Sequence, residues 1–543
     1  MFILTYMILL ALALVAALLS WLYPGTKTAR FWMSQPVVGV IRSQRFAWLR
    51  ATLRSLTQTQ VWVFEGYEQY STQNTPFTIP SLDRGPQVIV PPRQIAKVYS
   101  LPETILDVDD TQDQTLQIKW TVWDKVVSKE RLHVHVVRNQ LNRNLTNITE
   151  AIADEIDFGF NRMWGTDPDW RGVKIWDTCL RIVAGAANGA FCGQPLCRDP
   201  VFLDSLRDHA MSVFSGALLI SCTPWPLKSL SGGIAAAMCK YQLKRALKIC
   251  LPFVKDRLQK TAQSKADSAY DWTPPNDGLQ WIIEECYSSQ NPAAQLDPKR
   301  VCHRIVPIND VSLHTSSFTL QNLILDLMST DPSLGYVETL RKECAAALRK
   351  ANGVWTRDAV SSLKLVDSAI RESMRISTVG TIMLPRKVVH PNGVMLENCQ
   401  DPIPPGVDIG IPIQPIHLDE AIYPDAKSYH PFRFAQPDEV RRIQESFTPD
   451  IESAESQTTR HLSQEGKQTQ AATLDNTFFG FGVGRHACPG RFFALIEMKL
   501  FVAYFLLNYE LQHFKTRPQP AKILWLNYPS DATINVRRVP AFV

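Results

Sequence analysis

The chain has 543 residues, 45% of them hydrophobic and 20% charged, which is enough apolar material to bury a large core and excludes a disordered or fibrous chain. Its net charge of +5 comes with both signs interspersed, so the Lys/Arg stripe of a nucleic-acid binder is missing and no nucleic-acid partner is expected. Eleven cysteines spread from Cys179 to Cys488 without a C-x-x-C pair, which argues against a disulfide framework or a zinc ribbon and fits thiols in a reducing compartment, a Cys192–Cys197 pairing staying open.

Residues 1–23 carry no charged side chain and are long enough to cross a hydrocarbon core as a helix. Pro24-Gly25 ends the run, and Lys27, Arg30, Arg42 and Arg45 follow it with no basic residue ahead. The positive-inside rule then predicts a single-pass anchor with the body of the protein in the cytosol, and 24–45 as a linker. A cleaved signal peptide is the competing reading, although the basic n-region and short apolar core it needs are not seen. The sequons at Asn144 and Asn147 separate the two, since they stay bare in the cytosol.

Helical periodicity recurs over 132–160, 202–219, 234–260, 311–328, 334–350, 361–376 and 491–507. Strand-like pieces at 87–90, 383–389 and 534–538 are too brief to build a large sheet alone. No repeat and no long linker divides the chain after about residue 45. The expected fold class is mainly α with small β-sheets, as one catalytic domain over 46–543. The stretch 436–473 is rich in Glu, Gln, Ser and Thr and reads as an exposed, flexible surface insertion.

The densest chemical signal is the run from Phe478 to Ala494, Phe-Phe-Gly-Phe-Gly-Val-Gly-Arg-His-Ala-Cys-Pro-Gly-Arg-Phe-Phe-Ala. Gly482 and Gly484 permit backbone angles other residues resist, so a tight loop can press against a flat ligand, and Phe481 can shield a sulfur. Pro489 suits the first position of a helix, which would set the Cys488 sulfur at a positive helix end and favour thiolate. Gly490 permits close approach, and Arg485 or His486 can reach an anionic group. A metal-bound thiolate pushes electron density onto iron and favours O–O cleavage. The bland alternative is a structural cysteine in a glycine-rich turn.

With its aromatic, glycine and cysteine residues at these offsets, the chain resembles the cytochrome P450 family, most closely its membrane-bound fungal members. The resemblance runs in order over most of the chain after the N-terminal run. It implies the family's fold, haem (iron protoporphyrin IX) held through Cys488, and attachment to the endoplasmic reticulum membrane. Glu372-Ser373-Met374-Arg375 and Tyr429-His430-Pro431-Phe432-Arg433-Phe434 are similar to the family's E-x-x-R and aromatic-Pro-Arg-Phe segments. By that likeness Glu372, Arg375 and Arg433 form a buried charge triad, ordinary ion pairs being the alternative. Val311-Ser312-Leu313-His314-Thr315-Ser316 stands where the family has its oxygen-binding helix. Val311-Ser312 replaces the usual Ala-Gly, and His314 replaces an acid. Thr315 would organise proton delivery and His314 would relay protons, or the threonine merely back-bonds in its helix while the histidine packs. Arg138 aligns with a propionate-binding arginine, though the family's tryptophan four residues earlier is Val134, and Arg386 is a second candidate. Either arginine can equally be exposed.

The implied function is insertion of one oxygen atom from dioxygen into a lipophilic small molecule, with a terpenoid in fungal secondary metabolism as the expected substrate class. No G-x-G-x-x-G fingerprint follows a predicted strand, so electrons would come from NADPH through a partner, NADPH-cytochrome P450 reductase. Two alternatives stand: a redox-neutral rearrangement or dehydration on the same haem, and a haem-binding protein without turnover.

Overall fold

The computed structural model describes residues 28–445 and 470–540. The charge-free run 1–23 lies outside the described residues, and among these no helix is long and apolar enough to cross a membrane. Packing begins inside the segment expected as a linker. Helix α1 (Ala29–Ser34) buries Phe31 and Trp32 against Tyr67 and Val88, because two adjacent large aromatics gain more by covering the sheet than by staying in water.

After α2 (Ala47–Gln69), strands β1 (Phe77–Ile79) and β2 (Gln87–Ile89), helix α3 (Pro92–Tyr99) and β3 (Leu106–Asp107) lead into the helical body. The expected helix over 132–160 is broken there. A helical turn at Leu132–Val136 widens into a π-turn at Val137–Leu141, and α4 (Leu145–Met163) restarts afterwards. Side-chain amides divert the ladder: Asn144 Nδ2 donates to the Gln140 carbonyl at 2.9 Å and Asn142 Nδ2 to the Pro489 carbonyl at 3.1 Å.

Next come β4 (Arg171–Lys174), α5 (Ile175–Phe191), α6 (Pro200–Ser221), α7 (Lys228–Ala266), α8 (Gly278–Tyr287) and α9 (Pro298–Met328). Helix α9 starts thirteen residues before the predicted 311, where Pro298 takes the first helical position and Asp297 caps the Arg300 amide at 3.0 Å. Then follow α10 (Tyr336–Lys350), α11 (Lys364–Ile376), β5 (Met383–Val388), β6 (Asp408–Ile411), α12 (Pro437–Glu445), α13 (Arg491–Asn508) and strands β7 (Tyr509–Leu511), β8 (Ala521–Ile523), β9 (Leu526–Tyr528) and β10 (Thr533–Arg538). The fold is mostly helical with small sheets. One five-stranded sheet runs β1-β2-β6-β5-β3, with only β2–β6 parallel; β4-β10-β7 form a second, and β8-β9 pair.

The main core lies between α4, α5, α9, α11 and α13, whose buried faces meet in one cluster. Of the surface insertion expected at 436–473, α12 and the residues from 470 are described. Ala471 and Ala472 are buried, the Ala471 amide bonding Asp367 at 2.6 Å.

Candidate functional site

The loop from Phe478 to Gly490 is folded on itself by short backbone bonds. The Gly482 amide donates to the Phe479 carbonyl at 2.9 Å and the Cys488 amide to the Phe481 carbonyl at 2.8 Å. Gly482 and Gly484 sit at φ +85° and +60°, where a side chain would be strained. Helix α13 opens at Arg491 with Gly490 as its N-cap, so Pro489 precedes the helix rather than taking its first position. The chain turns once more before it winds, yet Cys488 keeps the positive end within reach. The Gly490 amide and the Arg491 charge both act to lower its thiol pKa, and desolvation outweighs them and raises it. Left to these groups the sulfur is a thiol at neutral pH; a cation bound to it would make it a thiolate. Of the eleven cysteines, only Cys488 is exposed: accessible, although protein surrounds it.

Basic side chains gather beside this loop. Arg485 donates to the Leu101 carbonyl, and His486 Nε2 lies 3.2 Å from both Arg485 Nε and a Glu103 carboxylate oxygen. Burial first, then the Arg386 charge, lower the His486 pKa, Arg485 and Arg138 adding to the effect. Arg386 is only 6% exposed. Its guanidinium donates to the neighbouring Pro385 carbonyl at 2.8 Å and lies over the Tyr99 ring, and among the described residues no carboxylate is within ion-pair reach. Burial pulls its pKa down. A buried cation without a counter-ion is costly, so this pocket suits an anionic ligand. Arg138 stands exposed on the π-turn, which Asn142 ties to the loop through Pro489.

The structure does not bring Thr315 and His314 together. On α9, Val311 and Thr315 share an exposed face, one turn apart. The Thr315 hydroxyl donates to the Val311 carbonyl at 2.9 Å. His314 turns away, its ring packed against Trp176 of α5 and Phe214 of α6 at centroid distances of 6.0 and 5.7 Å. Its Nε2 is buried without a hydrogen-bond partner, and burial lowers its pKa to about 4. The relay expected through His314 would thus have to start from a neutral imidazole packed among aromatic rings and pointing away from Thr315.

Glu372, Arg375 and Arg433 do converge. Arg375 Nε and an Nη donate to the two Glu372 oxygens at 2.8 Å each, and Arg433 Nε reaches the same oxygens at 3.0 and 3.1 Å. Glu372 and Arg375 are fully buried. Sequence reasoning missed His417, which joins this cluster to the cysteine loop. Arg375 donates to the His417 carbonyl, His417 Nδ1 lies 3.1 Å from the Arg375 carbonyl, and the Phe479 amide donates to His417 Nε2 at 3.1 Å. An acceptor at Nε2 requires the proton on Nδ1. The ring stacks on Phe478 and Phe479 at 12° to each. Burial, helped by the Arg375 charge, lowers its pKa to about 3, so it is neutral in the cell. A lone histidine in an apolar stretch offers no sequence signal for this.

The family pattern described as Cytochrome P450 matches residues 235–531. The chain is 42% identical over 498 residues to Cytochrome P450 monooxygenase okaG of Penicillium ochrochloron, covering 92% of each protein. It is 32% identical to Cytochrome P450 monooxygenase gloP of Glarea lozoyensis, over 94% of this chain and 92% of that protein. It is also 32% identical to Cytochrome P450 monooxygenase htyF of Aspergillus rugulosus, over 93% of this chain and 72% of that protein. The chain belongs to the cytochrome P450 family and is an oxidoreductase of its monooxygenase kind.

Proposed function

We propose that this monooxygenase inserts one atom of dioxygen into an apolar small molecule of fungal secondary metabolism, a terpenoid being the scaffold class to test first. The observation that carries the reading is the exposed Cys488 thiol beside the buried, unpaired Arg386. The residues fit the haem that the family implies: Cys488 as iron ligand, Phe481, Gly484 and Gly490 around the sulfur, and Arg386, Arg485, His486 and Arg138 for the propionates. Bound there, haem supplies an iron centre that activates dioxygen with electrons delivered from outside. The protein's own part is to hold the sulfur, to neutralise carboxylates, and to present the apolar Val311 with Thr315 to the substrate.

Electrons would come from NADPH through a membrane-bound flavoprotein reductase, the basic Arg485 and Arg491 beside the loop suiting an acidic partner. The charge-free run 1–23 and the basic residues after it support attachment to the endoplasmic reticulum membrane with the catalytic domain in the cytosol.

Product analysis in reductase-containing microsomes, with and without NADPH, tests the reading. Oxygenated product only with NADPH is expected; product formed without it would establish a redox-neutral rearrangement instead. The back-bonded Thr315 hydroxyl and the averted His314 are what favour that second reading. For Thr315→Ala, NADPH consumption is expected to continue while hydrogen peroxide released per product rises, because a hydroxyl no longer orders water on the open face of α9. Unchanged coupling would remove Thr315 from the mechanism.

A further inference from the structure

Helix α6 packs on α9, and His209 of α6 meets Asp310 of α9 there, Nδ1 to Oδ1 at 2.8 Å. The two residues are only 5% and 8% exposed. One turn to either side the helices offer Leu206 and Val213, and Val306 and Leu313, all buried. The other charged side chains of α6 are paired elsewhere, Asp204 with Arg181 of α5 and with Arg207, Asp208 with Arg207 and with Arg245 of α7. Asp310 immediately precedes Val311, which with Thr315 makes the open face of α9. A helix turns about 100° per residue, so the carboxylate stands at the edge of that face, on the α6 side.

Stability does not account for this pair, since replacing a buried polar pair by apolar side chains of like volume is often neutral or stabilising. The carboxylate is also short of partners. It has about four acceptor sites and uses one, whereas Asp326, the other acid of α9, is engaged on both oxygens by Ser373, Ser377 and Arg517. Among the described residues nothing bonds Asp310 Oδ2 or His209 Nε2, yet neither atom is sealed off from open space. With Nδ1 donating to Oδ1, a neutral imidazole leaves Nε2 an acceptor like Oδ2. Burial raises the Asp310 pKa and His209 opposes it; a donor placed on Oδ2 would oppose it further.

We propose that Asp310 is a specificity-determining residue that accepts a hydrogen bond from an N–H or O–H of the substrate, and that His209 is the positioning residue that fixes its carboxylate. The substrate is then an apolar scaffold carrying at least one hydrogen-bond donor rather than a bare hydrocarbon, because only a donor satisfies the free oxygen of a buried carboxylate. The inference rests on the monooxygenase reading of this site, and its test keeps the two apart.

The probes are two neutral pairs that differ only in the donor: cedrol and its methyl ether for O–H, carbazole and N-methylcarbazole for N–H. Binding of each to full-length, haem-loaded protein is titrated by the change in haem absorption, which needs neither reductase nor NADPH. Wild type is expected to bind at least one donor on the order of 10-fold more tightly than its methylated partner. Asp310→Leu removes that preference, and Asp310→Asn, which keeps one carbonyl acceptor, retains part of it. His209→Leu weakens the preference, and His209→Asn, whose amide can donate where Nδ1 did, recovers part of it. If Asp310→Leu does not take up haem, Asp310→Asn and the His209 variants decide. Equal affinity for both members of each pair in wild type, no binding of either donor, or an unchanged preference in the Asp310 variants overturns the proposal. So does an equal weakening of donor and methylated partner in the Asp310 and His209 variants, the mark of a pair that only holds α6 on α9. A wild-type enzyme that forms product without NADPH overturns the oxygenase reading itself, with the titrations still deciding on Asp310.

Discussion

Replacing Cys488 by serine is expected to abolish both turnover and the strongly red-shifted band of the reduced carbon monoxide complex. That band requires a negatively charged sulfur on iron, and a serine hydroxyl is far too weak an acid to supply an equivalent ligand. No other cysteine offers a substitute: Cys222 and Cys399 are partly buried and the remaining eight are buried. Burial also raises the thiol pKa of both, to about 12 and about 11. The loop itself should survive, because its bonds run through the Cys488 amide rather than its side chain. A loss of colour, or a pigment with an ordinary haem spectrum, fits this account. A red-shifted band persisting in the serine variant would refute it.

Arg375→Ala is the second large effect, and it acts on folding rather than on chemistry. Arg375 satisfies both oxygens of a fully buried Glu372 and binds the carbonyls of His417 and Ala426. Its removal leaves Glu372 with Arg433 and the His430 amide, and strands carbonyls away from water. Breaking such a pair costs about 3–5 kcal/mol, a large part of the ~5–15 kcal/mol that holds a domain together. Little haem-loaded protein is expected, measured as haem absorbance per unit of polypeptide after expression with ample haem supply. Arg375→Lys keeps the charge but not the two-pronged geometry and should fall between. Normal haem content in Arg375→Ala would show that the cluster does not hold the loop.

The cysteine loop was legible because its requirements are local: positive backbone angles at Gly482 and Gly484, a thiol, and a helix shortly after. The triad was legible from two short segments in order, although sixty residues separate Glu372 from Arg433. His417 was not legible, since its role comes from a ring pinned between two phenylalanines and from main-chain partners that a sequence does not display. Periodicity failed where polar side chains are buried. Thr52, Ser55, Thr59 and Gln60 line the inner face of α2, so its first half shows no apolar stripe, and in early α9 a proline at 307 and the buried polar Arg304, Asn309 and Asp310 interrupt the apolar pattern. β1, β3 and β6 are two to four residues long, too short for alternation to register. At 314, which way a side chain points around a helix decided between relay and packing, and spacing alone does not settle which neighbours a ring will find.

The imidazole between Phe478 and Phe479 has a consequence for hybrid enzymes assembled from relatives. Three stretches far apart in the chain, around 372–375, 417–433 and 478–488, meet at that one ring, so exchanging any of them alone trades a fitted partner for a foreign one. Crossover points are best placed so that all three come from a single parent, leaving the distal helix and its flanking segments as the parts to be swapped for new selectivity.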